Sequence, residues 1–152
     1  MTLIRTAMRS EIEWINKCYD EVAFSHSNFD REVIAVAEQE GLKAGLGRIV
    51  TIDKDHLELG GIYVFENFRN QGIARDIVTF LLEHSNTSQT IYCIAVTHLL
   101  SFYKKFGFEP CVDLESVHEK IYEKNLWCKE NYPIPTELLV CNPSFSHNLL
   151  LT

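Results

Sequence analysis

Basic residues are scarce in this sequence: 14 lysines and arginines stand against 21 aspartates and glutamates, and the formal net charge is −7. Because a general nucleic-acid binder needs a basic surface, this balance argues against that class of protein. No apolar run reaches the roughly 18 residues of a membrane-spanning helix, and the N-terminal segment lacks the apolar core of a secretion signal. We therefore expect a cytoplasmic protein with neither a nucleic-acid nor a membrane partner.

Cysteine pairs at metal-binding spacing are also missing. The five cysteines are odd in number, widely scattered and never form CxxC, which argues against a disulfide framework and a structural zinc site. The six histidines show no metal-binding spacing either. We expect no metal centre. The cysteines are expected to be small buried or half-buried thiols: Cys18, Cys93, Cys111, Cys128 and Cys141.

Strand and turn signals dominate the first half of the sequence. A first or edge strand is predicted over residues 3–8, and apolar residues at helical spacing predict a helix over 11–19. Residues 20–31 are mixed and polar, and we interpret them as a loop or short helix. Three runs separated by short turn segments then predict consecutive antiparallel hairpins over residues 32–38, 42–52 and 56–65.

The second half has a different pattern. An amphipathic helix is predicted over residues 72–84, a buried strand over 90–96, and a helix capped by Thr97 that ends before Gly107. A helix over 116–129 and a last strand over 137–141 complete the pattern, whereas residues 143–152 have no clear assignment. With no repeat and no linker, the sequence predicts one α/β domain over residues 1–152.

The segment FRNQGIARDIV, residues 68–78, leads from a strand into the helix that begins near Gly72. The first amide groups of a helix have no internal partner, and the helix dipole adds positive character there. Small residues let an anion approach this backbone, and Arg69 can add a charged fork. The segment is therefore either a cradle for a pyrophosphate-sized anion or a plain tight turn. The absence of GxxxxGK[ST] and GxGxxG argues against a P-loop and a nicotinamide-binding Rossmann unit.

Two motifs at their mutual spacing make the interpretation more specific. The residues RNQGIA, 69–74, resemble the R/Q-x-x-G-x-G/A signature of the GNAT superfamily of acetyl-CoA-dependent N-acetyltransferases. About thirty residues later, SFYKKFGFEP resembles the FY-x-K-x-GF segment of that family. The resemblance covers roughly residues 3–110. It implies an α/β (α+β) fold with a mixed, mostly antiparallel twisted sheet flanked by helices.

The resemblance also implies which residues bind acetyl-CoA, used here as a co-substrate. The pyrophosphate would lie on the signature turn, and the pantetheine arm would pair with the fourth strand, which must splay from the fifth. The Gly60-Gly61 pair permits a bulge or a close backbone approach at that point. Thr97 stands where many members carry asparagine. The implied cofactor-binding residues are Ile62, Tyr63, Val64, Arg69, Asn70, Gln71, Gly72, Ile73, Ala74, Arg75, Thr97 and Phe102.

Acetyl transfer to an amine needs a base, an oxyanion contact and a proton for the leaving thiolate. The resemblance implies that Tyr103 donates that proton and that the backbone N–H of Val64 or Ile62 meets the oxyanion. Glu58 is the candidate base, with Glu66 in the turn as the rival. The structural alternatives are an interfacial aromatic at Tyr103 and a solvated or paired strand glutamate at Glu58.

The function predicted from these motifs is acetyl transfer from acetyl-CoA to a primary amine of a small molecule or peptide. The alternative is a CoA-binding sensor or regulatory module without turnover. The resemblance implies that residues 20–31 and the C-terminal segment shape the acceptor site, and that the protein is a monomer or homodimer. The acidic net charge mildly favours cationic acceptors.

Overall fold

The computed structural model describes residues 1–141. These form an α/β fold with seven strands and four α-helices, joined by loops and short 3₁₀ turns. In chain order the strands and helices are β1 (Thr2–Thr6), α1 (Ile12–Glu21), β2 (Glu32–Gln39), β3 (Leu42–Asp53), β4 (His56–Val64), α2 (Ile73–Leu82), β5 (Thr90–Val96), α3 (Leu100–Lys104), β6 (Glu109–Pro110), α4 (Glu119–Asn131) and β7 (Thr136–Cys141). The segment without a sequence assignment, 143–152, lies outside the described residues. Within those residues, no helix combines the length and the apolar character needed to cross a bilayer.

The strands form a sheet in the order β1-β2-β3-β4-β5-β7-β6. Antiparallel pairing joins β1 to β2, β2 to β3, β5 to β7 and β6 to β7, whereas β4 and β5 are parallel. The predicted mixed, mostly antiparallel sheet flanked by helices is therefore confirmed. Of the segment over residues 20–31, predicted as a loop or a short helix, residues 20 and 21 end α1 and residues 22–31 form a loop.

The chain divides into two compact units. The first comprises residues 1–50 and 60–84, and the second comprises 51–59 with the described residues from 85 onward. Strands β3 and β4 contribute residues to both. The core of the first unit is built by α1, β2 and β3 around the buried residues Ile15, Tyr19, Ile34, Val36 and Leu46. The second unit has a smaller core around the buried residues Tyr92, Ile121 and Leu138.

Helix α2 packs closely on β3 in the first unit because β3 has two glycines at the contact. A Cβ atom at Gly45 would lie 2.9 Å from the carbonyl oxygen of Tyr63 and 3.3 Å from Ile77. A Cβ atom at Gly47 would overlap the side chain of Ile77. Ile77 is fully buried, as is Leu81 one turn later. The two glycines therefore set the position of α2 and of the turn that precedes it.

A buried ion-pair cluster joins β1 to the start of α1. Glu11, which is 7% exposed, accepts hydrogen bonds from both terminal nitrogens of Arg5 at 2.8 and 2.9 Å and from the backbone amide of Met8 at 2.8 Å. Lys43 adds a contact at 3.3 Å. The Arg5 guanidinium, more than any other group, lowers the pKa of Glu11 to about 2. Folding therefore stabilises the ionised form of Glu11.

The lowered pKa of Glu11 predicts a component of acid unfolding. The stabilisation is fully present above the ordinary pKa of about 4.5 and is lost as the pH falls toward 2. Glu11→Gln should lower the free energy of unfolding at pH 7 by roughly 1.5 to 3 kcal/mol, and its deficit against the parent should shrink below pH 4.5. Urea unfolding at several pH values measures this. Glu13→Gln, at an exposed glutamate two residues later in the first turn of α1, is the control, and a pH-independent deficit would contradict the prediction.

Candidate functional site

The signature turn belongs to the first unit and has the backbone of an anion cradle. Asn70 and Gly72 are left-handed, with φ of 65° and 79°, and Gly72 precedes the first residue of α2. The amide of Asp76 donates to the carbonyl of Gly72 at 3.1 Å, which is the first helical hydrogen bond. The amides of Gly72 and of residues 73–75 consequently have no acceptor inside the helix.

Two guanidinium groups lie at this turn. A Cβ atom at Gly72 would be 2.9 Å from a terminal nitrogen of Arg75, so the Arg75 side chain folds back over the turn. Arg69 donates from Nε to the carbonyl of Val64 at 3.0 Å and is thereby held against the end of β4. The turn residue Gln71 accepts a hydrogen bond from Gln39 at 2.7 Å. Free amides, a helix N-terminus and two cations together can bind a di-anionic group.

Strand β4 carries the predicted irregularity. Gly61 is left-handed at φ 61°, and a Cβ atom there would lie 2.7 Å from the hydroxyl of Tyr19, which donates to the Gly61 carbonyl at 2.8 Å. Of the glycine pair, only Gly61 is closely approached, by the side chains of Tyr19 and Arg48, and nothing lies within 4 Å of a Cβ atom built at Gly60. The left-handed residue also interrupts strand alternation, so Glu58 does not share a face with Ile62 by register alone.

Pairing between β4 and β5 is short. Among the described residues the parallel register covers three pairs and ends at Glu58 opposite Tyr92, although β4 runs on to Val64 and β5 to Val96. A fourth strand that pairs with the fifth over only part of its length is what the family resemblance implied for the cofactor arm. Whether Ile62, Tyr63 and Val64 bind that arm stays a prediction.

Glu58 is a buried and paired carboxylate in the second unit. It is 8% exposed, and its Oε2 accepts a hydrogen bond from Nζ of Lys124 on α4 at 2.7 Å. Lys124 is the more exposed partner, with 39% of its side chain accessible. A buried charge of this kind is tolerated because it is compensated, and removing either partner would leave the other uncompensated. The structural alternative of a paired strand glutamate therefore describes the geometry of Glu58.

Tyr103 lies inside the second unit, 6% exposed, beside the thiol of Cys93. Burial raises the pKa of Tyr103 well above its ordinary value and also raises the pKa of the Cys93 thiol. The rings of Phe102 and Phe108 contact Tyr103 edge to face, at 4.9 and 6.1 Å between centroids. Tyr103 thus keeps its proton at neutral pH, as a proton donor requires.

The predicted helix cap at Thr97 is wrong. Residues Thr97–Leu99 form a 3₁₀ turn, and α3 begins only at Leu100. The Thr97 hydroxyl donates to the carbonyl of Pro135 at 3.1 Å, and its amide donates to the same oxygen at 3.0 Å. Thr97 therefore anchors the segment before β7, a tertiary contact that propensity does not reveal. Its role in cofactor binding, like that of Phe102, stays a prediction.

A cluster of Asp53, His56 and His118 is the feature that histidine spacing missed. One Asp53 oxygen is 2.8 Å from Nδ1 of His56, and the other is 3.2 Å from Nε2 of His118. Nδ1 of His118 accepts a hydrogen bond from the amide of Lys120 and caps α4, so neutral His118 carries its proton on Nε2. A metal ion bound at Nε2 would have to displace that proton and the cap. In the sequence, the one signal for this cluster is the hairpin predicted between β3 and β4, which brings Asp53 near His56.

Comparison with known proteins agrees with this geometry. A model of the Acetyltransferase (GNAT) domain matches residues 30–110, more than half of the sequence. The chain therefore belongs to the GNAT acetyltransferase family, as the two sequence motifs predicted. No curated protein matches the chain.

Similar solved structures include Rv2747 from Mycobacterium tuberculosis in complex with CoA (TM-score 0.71, 17% identity, 92% of this chain and 98% of that one). A GNAT family acetyltransferase from Elizabethkingia anophelis with acetyl-CoA bound has a TM-score of 0.62 at 17% identity, covering 93% and 97%. N-acetylglutamate synthase from Neisseria gonorrhoeae, complexed with coenzyme A and N-acetyl-glutamate, has a TM-score of 0.70 at 13% identity. The alignment covers 93% of this chain but only 35% of that enzyme. Likeness at these identities establishes the fold.

Proposed function

We propose that residues 1–152 act as one acetyltransferase domain that transfers the acetyl group of acetyl-CoA to a primary amine of a small molecule or peptide. The amine attacks the thioester of acetyl-CoA directly, while both substrates are bound in a ternary complex with the protein. Membership of the GNAT family supports acetyl transfer. The observation that carries the proposal is the turn at Gly72, where unpartnered helix amides and the Arg75 guanidinium meet.

The cofactor is assigned to two backbone segments of the first unit. The amides of residues 71–74 bind its pyrophosphate, with Arg69, Asn70 and Arg75 beside them. The main chain of residues 62–64 pairs with the pantetheine arm, and one N–H of that strand receives the oxyanion. Thr97 and Phe102 complete the assignment on the basis of the family resemblance.

The proton steps are assigned to Tyr103 and Glu58. The neutral amine attacks the thioester carbonyl carbon, the carbon–sulfur bond breaks, and Tyr103 gives its proton to the leaving thiolate. Its raised pKa supports this role because the hydroxyl is protonated at neutral pH. Glu58 accepts the proton of the amine, directly or through water. An incoming ammonium then competes with Lys124 for the Glu58 carboxylate.

A CoA-binding module without turnover is the second candidate. One observation favours it: both candidate catalytic side chains already have protein partners, Cys93 for Tyr103 and Lys124 for Glu58. Consumption of acetyl-CoA in the presence of a panel of amines separates the two functions, because only the enzyme releases CoA in proportion to acetylated amine.

Acetyl-CoA should raise the melting temperature of the protein by mass action, and Gly72→Glu should abolish that rise. The new carboxylate would place bulk and negative charge where the pyrophosphate lies. Gly41→Glu is a matched control, because Gly41 has φ 80° and suffers the same backbone strain of about 1 to 2 kcal/mol in the β2–β3 turn. A folded Gly72→Glu variant with an unchanged acetyl-CoA shift would place the cofactor elsewhere.

Tyr103→Phe should lower turnover by roughly 10²- to 10⁴-fold with little change in acetyl-CoA affinity, because the ring stays and only the hydroxyl is lost. Steady-state kinetics and thermal shift measure the two quantities. Cys93→Ala removes the thiol beside the same hydroxyl and is the control. Equal turnover losses in the two variants would mean that the Tyr103 hydroxyl supports packing and does not donate a proton.

Glu58→Gln should slow acetylation of a strongly basic alkylamine near pH 7, and the rate should recover as the pH approaches the amine's own pKa of about 10. For a weakly basic arylamine the defect should be small, since that acceptor is already neutral. Rates across pH for both acceptors test this, with Glu66→Gln as the exposed control. Equal losses for both acceptors at every pH would assign Glu58 a positioning role.

A further inference from the structure

Arg48 on β3 is a buried cation of the first unit, only 6% exposed. One terminal nitrogen, Nη1, donates to the carbonyl of Ser25 at 2.9 Å and to the hydroxyl of Ser27 at 2.6 Å. The guanidinium also lies over the ring of Tyr19, 4.5 Å from its centroid. These contacts hold the side chain in one position and use one of its three nitrogens.

The charge of Arg48 has no carboxylate partner in the described part of the chain. Arg5, Arg9 and Arg75, by contrast, each form an ion pair. Glu32 projects to the same face from β2, since Ile34 stands opposite Arg48 in the register. Its Oε2 accepts from the amide of Asn28, however, and its Oε1 is buried without a partner. Buried charges are normally paired, so an unpaired guanidinium is an unusual feature.

The Nε–Nη2 edge of the guanidinium takes no part in the hydrogen bonds that hold Arg48. Both printed donations come from Nη1, and neither Nε nor Nη2 has a carboxylate or carbonyl acceptor among the described residues. Gly61 packs closely against this edge, because a Cβ atom there would lie 2.9 Å from Arg48 Nε and 2.7 Å from the Tyr19 hydroxyl. The hydrogen bond from Tyr19 to the Gly61 carbonyl fixes both neighbours of the guanidinium. The Nε–Nη2 edge is the part of an arginine that binds a carboxylate with two parallel hydrogen bonds.

We propose that Arg48 binds a carboxylate of the acceptor, and that the acceptor is therefore an amine that also carries a carboxylate, such as an amino acid. This inference rests on the proposed acetyl transfer and specifies its substrate class. The expectation of cationic acceptors came from net charge, which averages over the whole surface. At the proposed acceptor site, the preference for a negatively charged group comes from this single buried arginine, because its charge is neither paired nor fully hydrated.

The first experiment uses the unmodified protein and matched acceptors. Acetylation of the natural L-amino acids is compared with that of their carboxamides and of the amines that lack the carboxyl group. The carboxylate form of at least one amino acid should be preferred by roughly 10- to 100-fold in kcat/KM, the range expected for a charge-assisted hydrogen bond. Equal rates for carboxylate and carboxamide, or a preference for polyamines, overturn the proposal.

The second experiment removes the guanidinium group of Arg48. Arg48→Gln should abolish the preference for the carboxylate over the carboxamide and leave acetyl-CoA affinity unchanged, whereas Lys54→Gln, at an exposed cation of the β3–β4 turn, should alter neither. If the glutamine variant fails to fold, Arg48→Lys is measured in its place. It keeps the charge and should retain part of the preference. If Arg48→Gln slows both acceptors equally, Arg48 only braces residues 25–27. If Arg48→Gln weakens acetyl-CoA binding instead, the anion that Arg48 binds belongs to the cofactor. Either result overturns the proposal.

A binding measurement separates this inference from the proposed function. Calorimetric titration of the amino acids and their carboxamides into the protein saturated with CoA needs no turnover. Binding of carboxylates alone, without acetylation of any amine, would support the subsite and count against the enzyme. Acetylation of amines without a carboxylate preference would support the enzyme and reject the subsite.

Discussion

Close packing of α2 on β3 is the constraint on which the candidate cofactor turn depends. The helix can approach the strand only because Gly45 and Gly47 carry no side chains where Ile77 meets the sheet. A residue of any size at Gly47 would push the helix outward, and the turn at Gly72 would move with it. The free amides at the start of α2 are a property of every helix. Their position in the first unit follows from where the two glycines hold the helix.

Charges inside the two units are compensated in different ways. Arg5 is surrounded by Glu11, Glu38 and a backbone carbonyl, so its energetic contribution is to folding. Among the described residues, Glu58 has one ion-pair partner, Lys124, whose side chain is 39% exposed. Arg48 has only neutral partners in that part of the chain. The same residue type is therefore paired with carboxylates in one place and unpaired in another.

Local sequence signals were sufficient wherever the decisive contacts join neighbouring residues. Alternation and short turn segments predicted β2, β3 and β4 within one or two residues, because hairpin pairing depends on adjacent segments. The turn from Arg69 to Ala74 was readable for the same reason: one glycine with positive φ and the first amides of a helix lie within a few residues. Thr97 shows the limit, since its hydroxyl prefers the distant carbonyl of Pro135 to the helix that follows it.

The sequence by itself determined six of the seven described strands, the helices and the family, because periodicity and two short motifs are properties of contiguous residues. The two-residue strand β6 (Glu109–Pro110) was not predicted. Only the tertiary structure paired Glu58 with Lys124, 66 positions apart, and enclosed Tyr103 with Cys93. It also assembled Asp53, His56 and His118, whose spacing predicts no cluster. Arg48, which has no carboxylate partner among residues 1–141, is the clearest case. A sequence names the charges a chain carries, but which of them remain unpaired depends on how segments distant in sequence pack, and only the fold decides that.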